Sequence, residues 1–217
     1  MATHIEYEAE NLHPLPRKHV LLLTCMDVRL IDNTVTYMNS LNLTNRYDQV
    51  VFAGAALGVL HMSSPPHEGH PASTGAAWRD VFFHHLHLAI EVLDRNVSDI
   101  FIVEHRDCGA YQHYHPTHNE PYGDDPAGQE LEEKHHREQA FQLARAIREY
   151  CVKQQDVSRE AIRATENGAV RVESEWRLKS WSNIRVQCFL MDLRGQVLPL
   201  IEDANPLPRS LGFQMSM

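Results

Sequence analysis

Residues 99–109 read DIFIVEHRDCG, and the reading of this stretch decides the fold. Asp99 to Glu104 is a short run of Ile, Phe and Val, the composition of a strand. It passes without a break into His105-Arg106-Asp107-Cys108-Gly109. Upstream, Ser73 is placed to cap a long helix in which Trp78, Phe82, Leu86, Ala89 and Leu93 recur every three or four residues. A helix feeding a continuous apolar strand is the building unit of a parallel sheet covered on both faces.

The flanking segments extend the pattern. His19 to Thr24 is a second apolar strand, ending at Cys25-Met26-Asp27-Val28-Arg29, and Leu30 to Leu41 follows as a helix. Gln49 to Ala53 reads as a third strand, closed by Gly54. Glu130 to Val152 is helical, with Glu130/Lys134 and Glu133/Arg137 spaced for i,i+4 pairing and Phe141, Ala144, Ile147 and Cys151 along one face. Residues 155–182 carry no single period. Ile184 to Asp192, the turn at Arg194-Gly195, and Gln196 to Ile201 read as a strand, a turn and an extended stretch. Leu60 to Ala72 and Gln112 to Gly128, rich in proline and histidine, read as inserted loops. No internal repeat is visible. The expectation is one α/β domain over residues 1–217, with a mostly parallel central sheet flanked by helices.

Net charge is −9. That balance disfavours nucleic acid, whose non-specific affinity comes from Lys and Arg neutralising phosphates, and it disfavours an anionic membrane surface. The only apolar run near the start, Val20 to Leu23, is too short for a secretory signal core, and no stretch approaches the ~18 apolar residues of a membrane span. Four cysteines without a signal argue for a reducing, cytoplasmic setting rather than a disulfide scaffold. Cys151 and Cys188 read as buried small hydrophobes, and Met38 and Met191 as core filler.

Cys25 and Cys108 read differently. In a parallel sheet the carboxyl ends of neighbouring strands share one edge, so C-x-D-x-R after one strand and H-x-x-C-G after another can meet. Two thiols and an imidazole are the donors that Zn²⁺ selects, and three protein ligands leave a fourth corner for water or substrate. Either motif alone is a weak signal; a lone cysteine after a strand is usually core. Together, with the Ala53-Gly54 turn between them, they are specific.

On these residues the sequence resembles the β-class carbonic anhydrases, whose fingerprint is C-x-D-x-R followed by H-x-x-C-G. The likeness covers most of residues 15–110 and 184–201, including VQCFLMDLRGQVLPL as the terminal strand and turn. It implies zinc held by Cys25, His105 and Cys108, with Asp27 and Arg29 as the catalytic aspartate–arginine pair and Asp27 as a fourth ligand in a closed state. It further implies reversible hydration of CO₂ to bicarbonate by zinc-bound hydroxide, in a homodimer or higher oligomer with the site near the subunit interface. The sequence departs from the pattern in three ways. Val51 and Phe52 stand where Arg-Asn is common and Ala55 where Asn is frequent, residues 1–24 contain no Gln, and both histidine-rich loops read as insertions relative to a compact family member. A CS₂ or COS hydrolase on the same core, or a non-catalytic zinc- or bicarbonate-binding homologue, are the other readings. Among fifteen histidines, His113, His115 and His118 suit a solvated polar loop better than a second metal or a proton relay, and His84, His85 and His87 suit packing or an interface.

Overall fold

The computed structural model describes residues 19–61, 75–93, 95–118 and 120–200. The chain is α/β, as expected. Strands β1 (His19–Thr24), β2 (Tyr47–Val51), β3 (Val97–His105), β4 (Arg185–Met191) and β5 (Val197–Leu200) form one sheet in the order β2-β1-β3-β4-β5. The first three pairings along that order are parallel, and β5 returns antiparallel across the Arg194-Gly195 turn. β1 is buried along its whole length and β3 nearly so, which is why both read as continuous apolar runs. β2 is an edge strand with only Val50 buried. It lies two residues earlier than the apolar run suggests, because Phe52 and Ala53 already belong to the turn.

Alternate residues of β1 and β3 face opposite cores. Leu21, Leu23, Ile100 and Ile102 pack with Phe82, Leu86, Leu143, Ile147 and Trp181. These partners come from α3 (Gly75–His87), α5 (Pro126–Ala164) and α6 (Gly168–Ser182). Val20, Leu22, Phe101 and Val103 face the other way, against Leu30, Met191 and Met38 of α1 (Ile31–Ser40). Cys151 and Cys188 are buried and Met38 and Met191 are core, as their composition suggests.

Three segments differ from the sequence reading. The stretch expected as a loop from Leu60 begins inside a helix, α2 (Ala56–His61), while residues 62–74, with the Ser73 cap, lie outside the described residues. Of the second expected loop, Gln112 to Tyr114 belong to α4 (Gly109–Tyr114), and Pro126 to Gly128 open α5. Pro126 sits at the first turn of α5 behind an Asp125 cap, where its missing N–H is no loss, so a residue read as a loop marker starts a helix. Residues 155–182 resolve into the end of α5 and α6, joined at 165–167. Asn167 caps α6 by accepting the Ala169 N–H. Their pattern is weak because few side chains there are buried, chiefly Ser158, Ser174 and Trp181.

Candidate metal centre

The sheet order brings the two motifs together. β2 lies on one side of β1 and β3 on the other, so a crevice opens beyond their carboxyl ends. Thr24 pairs with Val103 in register, which sets Cys25 one step from His105. The Cys25 and Cys108 sulfurs are 3.9 Å apart, close to the ~3.8 Å edge of a tetrahedron with ~2.3 Å zinc–sulfur bonds. Ligating atoms of Cys25, His105 and Cys108 all lie within 4.8 Å of one another, the only such group of His, Cys, Asp or Glu among the described residues. His105 Nδ1 lies 2.8 Å from the Arg106 carbonyl, a bond that fixes the orientation of the imidazole. Its Nε2 is buried without a partner. A buried imidazole nitrogen left free beside two thiols fits a zinc ion.

Hydrogen bonding with Cys108 pulls the Cys25 thiol down to about 4, helped by His105 and the Gly54 N–H and opposed by burial. That same bond, with burial, pushes Cys108 up. Burial alone would lower His105, but the neighbouring Cys25 sulfur offsets this and raises it. Zn²⁺ takes cysteine as thiolate and histidine as neutral imidazole, so binding here would release protons. The Gly54 N–H, 3.2 Å from the Cys25 sulfur, is a further donor.

Asp27 and Arg29 sit at the exposed mouth. Arg29 Nε and Nη2 donate to both oxygens of Asp27, at 3.0, 3.1 and 2.6 Å, and the Arg29 backbone N–H donates to Oδ1 at 2.9 Å. These bonds hold the Asp27 carboxyl down to about 2. Arg29 also crosses to the other motif, donating from Nη1 to Asp107 Oδ2 at 2.7 Å and from Nη2 to the Asp107 carbonyl at 3.0 Å. Asp107, which the motif reading treats as a spacer, is thus the second arm of the arginine clamp. Its φ of +56 turns the loop between His105 and Cys108.

α5 supports this loop from behind. Glu132 Oε1 accepts the Asp107 N–H, and Arg106 donates to Glu132 and Glu133, each at 3.2 Å. Deeper still, fully buried Glu104 accepts the Ala56 N–H at 2.9 Å and meets His136 Nδ1 at 3.1 Å. Burial pushes Glu104 up to about 8 and His136 down to about 3, so the two form a neutral pair. Sequence reasoning missed Glu104, Glu132 and His136. The only available signal was a glutamate ending an apolar strand.

Two of the three histidines of the second loop, His115 and His118, are packed rather than solvated. His113 is exposed, but His115 is buried and stacks on His135 of α5 with centroids 4.1 Å apart and planes at 15°. His118 stacks on Tyr122, whose hydroxyl lies 2.8 Å from His135 Nδ1. The polar-loop reading overlooked that α5 carries partners for these rings. Among the described residues these histidines form no group of three ligating atoms close enough to share an ion. On α3, His84 and His85 are exposed, while His87 stacks on Trp181 at 6.3 Å.

No family model matches the chain. Among curated proteins it is 31% identical over 110 residues to an uncharacterized protein of Rickettsia bellii, covering 50% of this chain and 58% of that one. It is likewise 31% identical over 110 residues to an uncharacterized protein of Rickettsia conorii, covering 50% of this chain and 51% of that one. The chain spans about half the length of the curated relatives it matches. Among solved structures it is similar to the beta-carbonic anhydrase CcaA, with TM-score 0.32, 15% identity, and 84% and 79% of the two chains covered. It is similar to the beta-carbonic anhydrase CafA of Aspergillus fumigatus, with TM-score 0.36, 16% identity, and 88% and 78% covered. It is also similar to tetrameric beta-carbonic anhydrases from Sordaria macrospora, with TM-score 0.35, 13% identity, and 85% and 81% covered. The chain's own sheet order and pairing give it an α/β fold with a mostly parallel five-stranded sheet, and solved structures similar to it are beta-carbonic anhydrases.

Proposed function

We propose that this chain is a zinc-dependent carbonic anhydrase of the β-class kind, interconverting CO₂ and bicarbonate in a single domain. One observation carries the reading: two sulfurs 3.9 Å apart face a buried imidazole nitrogen that has no other partner, beside an aspartate gripped by an arginine. Cys25, Cys108 and His105 Nε2 would hold the ion and leave one corner for water. Zinc, when bound, supplies the Lewis acidity that makes such a water ionisable near neutral pH. The chain's own residues do the rest. Asp27, kept ionised by Arg29, is an acceptor that orients a water's lone pair toward carbon. Arg29 ties that acceptor to the His105–Cys108 loop through Asp107, so both motifs move as one. Leu57, Ala110 and Tyr122, packed with the two cysteines, give the neighbourhood an apolar wall suited to a small uncharged substrate.

Stopped-flow CO₂ hydration on zinc-loaded protein tests the reading. Absence of hydration from pH 6 to 9 in a fully loaded sample would favour a non-catalytic zinc- or bicarbonate-binding protein. The second reading, a COS or CS₂ hydrolase, draws on Val51 and Phe52 standing where the family resemblance leads one to expect Arg-Asn; sulfide release without CO₂ hydration would select it. The same reading includes a homo-oligomer in a reducing, cytoplasmic setting. Met26, Val28 and Ile31, exposed at 65%, 77% and 61% around Asp27, are the apolar surface a second copy would cover. Light scattering on the eluting protein reads the assembly directly.

A further inference from the structure

The Cys25 sulfur receives a backbone donor only because the chain after β2 takes an uncommon shape. Gly54 and Ala55 both have positive φ, +69 and +43. Glycine adopts that region freely; alanine does so at a cost of roughly 1 kcal/mol or more, and persists there only when its surroundings hold it. The next residue supplies the hold, since the Ala56 N–H is taken by Glu104 Oε1 at 2.9 Å. Glu104 is 0% exposed, in a β3 position flanked by Ile102, Val103 and His105. A carboxyl at that depth is costly unless its oxygens are engaged. Here the second oxygen meets His136 of α5 at 3.1 Å, and Tyr111 of α4 packs on that imidazole with centroids 3.7 Å apart.

We propose that Glu104 is the positioning residue of the metal centre: by holding the Ala56 N–H it locks the Gly54–Ala55 turn and aims the Gly54 N–H at the Cys25 sulfur, with His136 as its clamp. This rests on the metal reading of Cys25, His105 and Cys108. A hydrogen bond to a ligating sulfur withdraws charge from it and sets how strongly it binds the ion. Glu104 touches neither metal nor substrate. It acts through one turn of backbone.

The test uses the full chain, with zinc affinity read by competition against a chromophoric chelator and the cobalt(II)-substituted protein read by its sulfur-to-metal absorption. Glu104→Gln keeps the acceptor for Ala56 and offers an amide donor to His136 Nδ1, so affinity should stay within about threefold and the band unchanged. Glu104→Asp is one methylene too short to reach both partners; affinity should fall about tenfold or more and the band should shift. A folded Glu104→Asp protein with wild-type affinity and spectrum would overturn the proposal, whatever its melting temperature, because a purely structural glutamate moves only the latter. So would a Glu104→Gln protein that loses the metal. Should Glu104→Asp not fold, His136→Phe decides, since it removes the clamp and keeps the core filled. Faster hydrogen exchange at the Ala56 amide with several-fold weaker zinc binding supports the idea, and no change in either defeats it. Wild-type chain that takes up neither zinc nor cobalt would instead defeat the metal reading, which keeps the two failures apart.

Discussion

Arg29 is the residue on which most of the exposed geometry converges. It bonds both oxygens of Asp27 and both the side chain and the carbonyl of Asp107. A lysine is a point charge and cannot reproduce that fork. Arg29→Lys and Arg29→Ala should therefore both lower CO₂ hydration by about 10²-fold or more, the order lost when a catalytic group is misplaced by an ångström. The Asp27 carboxyl, now at about 2, should rise toward the ordinary aspartate range, and X-ray absorption of the zinc-loaded variant should show a carboxylate in place of the water oxygen if Asp27 swings in. Unchanged kinetics would remove Arg29 from the mechanism. Gly54 is the second sensitive residue. An added Cβ would meet the Ala110 Cβ at 2.9 Å, in a conformation with φ +69 that side chains disfavour. Gly54→Ala should cost about 1–3 kcal/mol by urea denaturation and weaken zinc binding, because the amide on Cys25 must move.

At the scale of elements, α5 is the backing plate of the site. Glu132 joins it to the His105–Cys108 loop through the Asp107 N–H and Arg106. Glu132→Ala removes the acceptor of the Asp107 N–H and leaves Arg106 with only Glu133 and the Gln129 carbonyl, so it should destabilise by about 1 kcal/mol, seen as a lower urea midpoint with an unchanged slope. The other contact of α5 is the imidazole layer. Burial and neighbouring imidazoles lower His115 to about 4, burial lowers His136 to about 3, and burial first, then His118, lowers His135. Groups held neutral in the fold bind protons more readily once unfolded. Their stabilising contribution is complete above the unfolded value near 6.5, and it is lost as pH falls from there toward 4 and then 3. The urea midpoint should drop steadily between pH 7 and pH 5, and His115→Phe should flatten part of that slope. A midpoint independent of pH in this window would show that the layer does not stay neutral.

For the whole molecule, the metal should act as a folding ligand. Its three ligands come from the ends of β1 and β3 and from the loop before α4, so an ion joins segments that the chain holds apart in sequence. A ligand that binds only the folded state raises stability by RT ln(1 + [L]/Kd), about 4 kcal/mol at a thousandfold excess over Kd. Dialysis against a strong chelator should therefore lower the melting temperature by several degrees, and zinc should restore it. A Cys25→Ser/Cys108→Ser protein, which has lost its two thiolate ligands, should show no zinc-dependent shift. Equal melting with and without zinc in the wild type would mean that no ion is held.

The sequence by itself determined the buried strands β1 and β3, the parallel character of the sheet and the three candidate metal ligands. Each of these depends on local pattern: continuous apolar runs, and motifs placed directly after them. It could not determine what lies behind the ligands. Glu104, Glu132 and His136 reach the site from a strand end and a helix far along the chain, and both glutamates accept from backbone N–H groups, which leave no mark in a sequence. The ends of the expected loops were misplaced for a related reason. Pro126 and His115 look like loop chemistry until α5 supplies a helix to start and a ring to stack upon. Which side chain meets which is a consequence of sheet order, and sheet order is fixed by long-range packing that no window of residues contains.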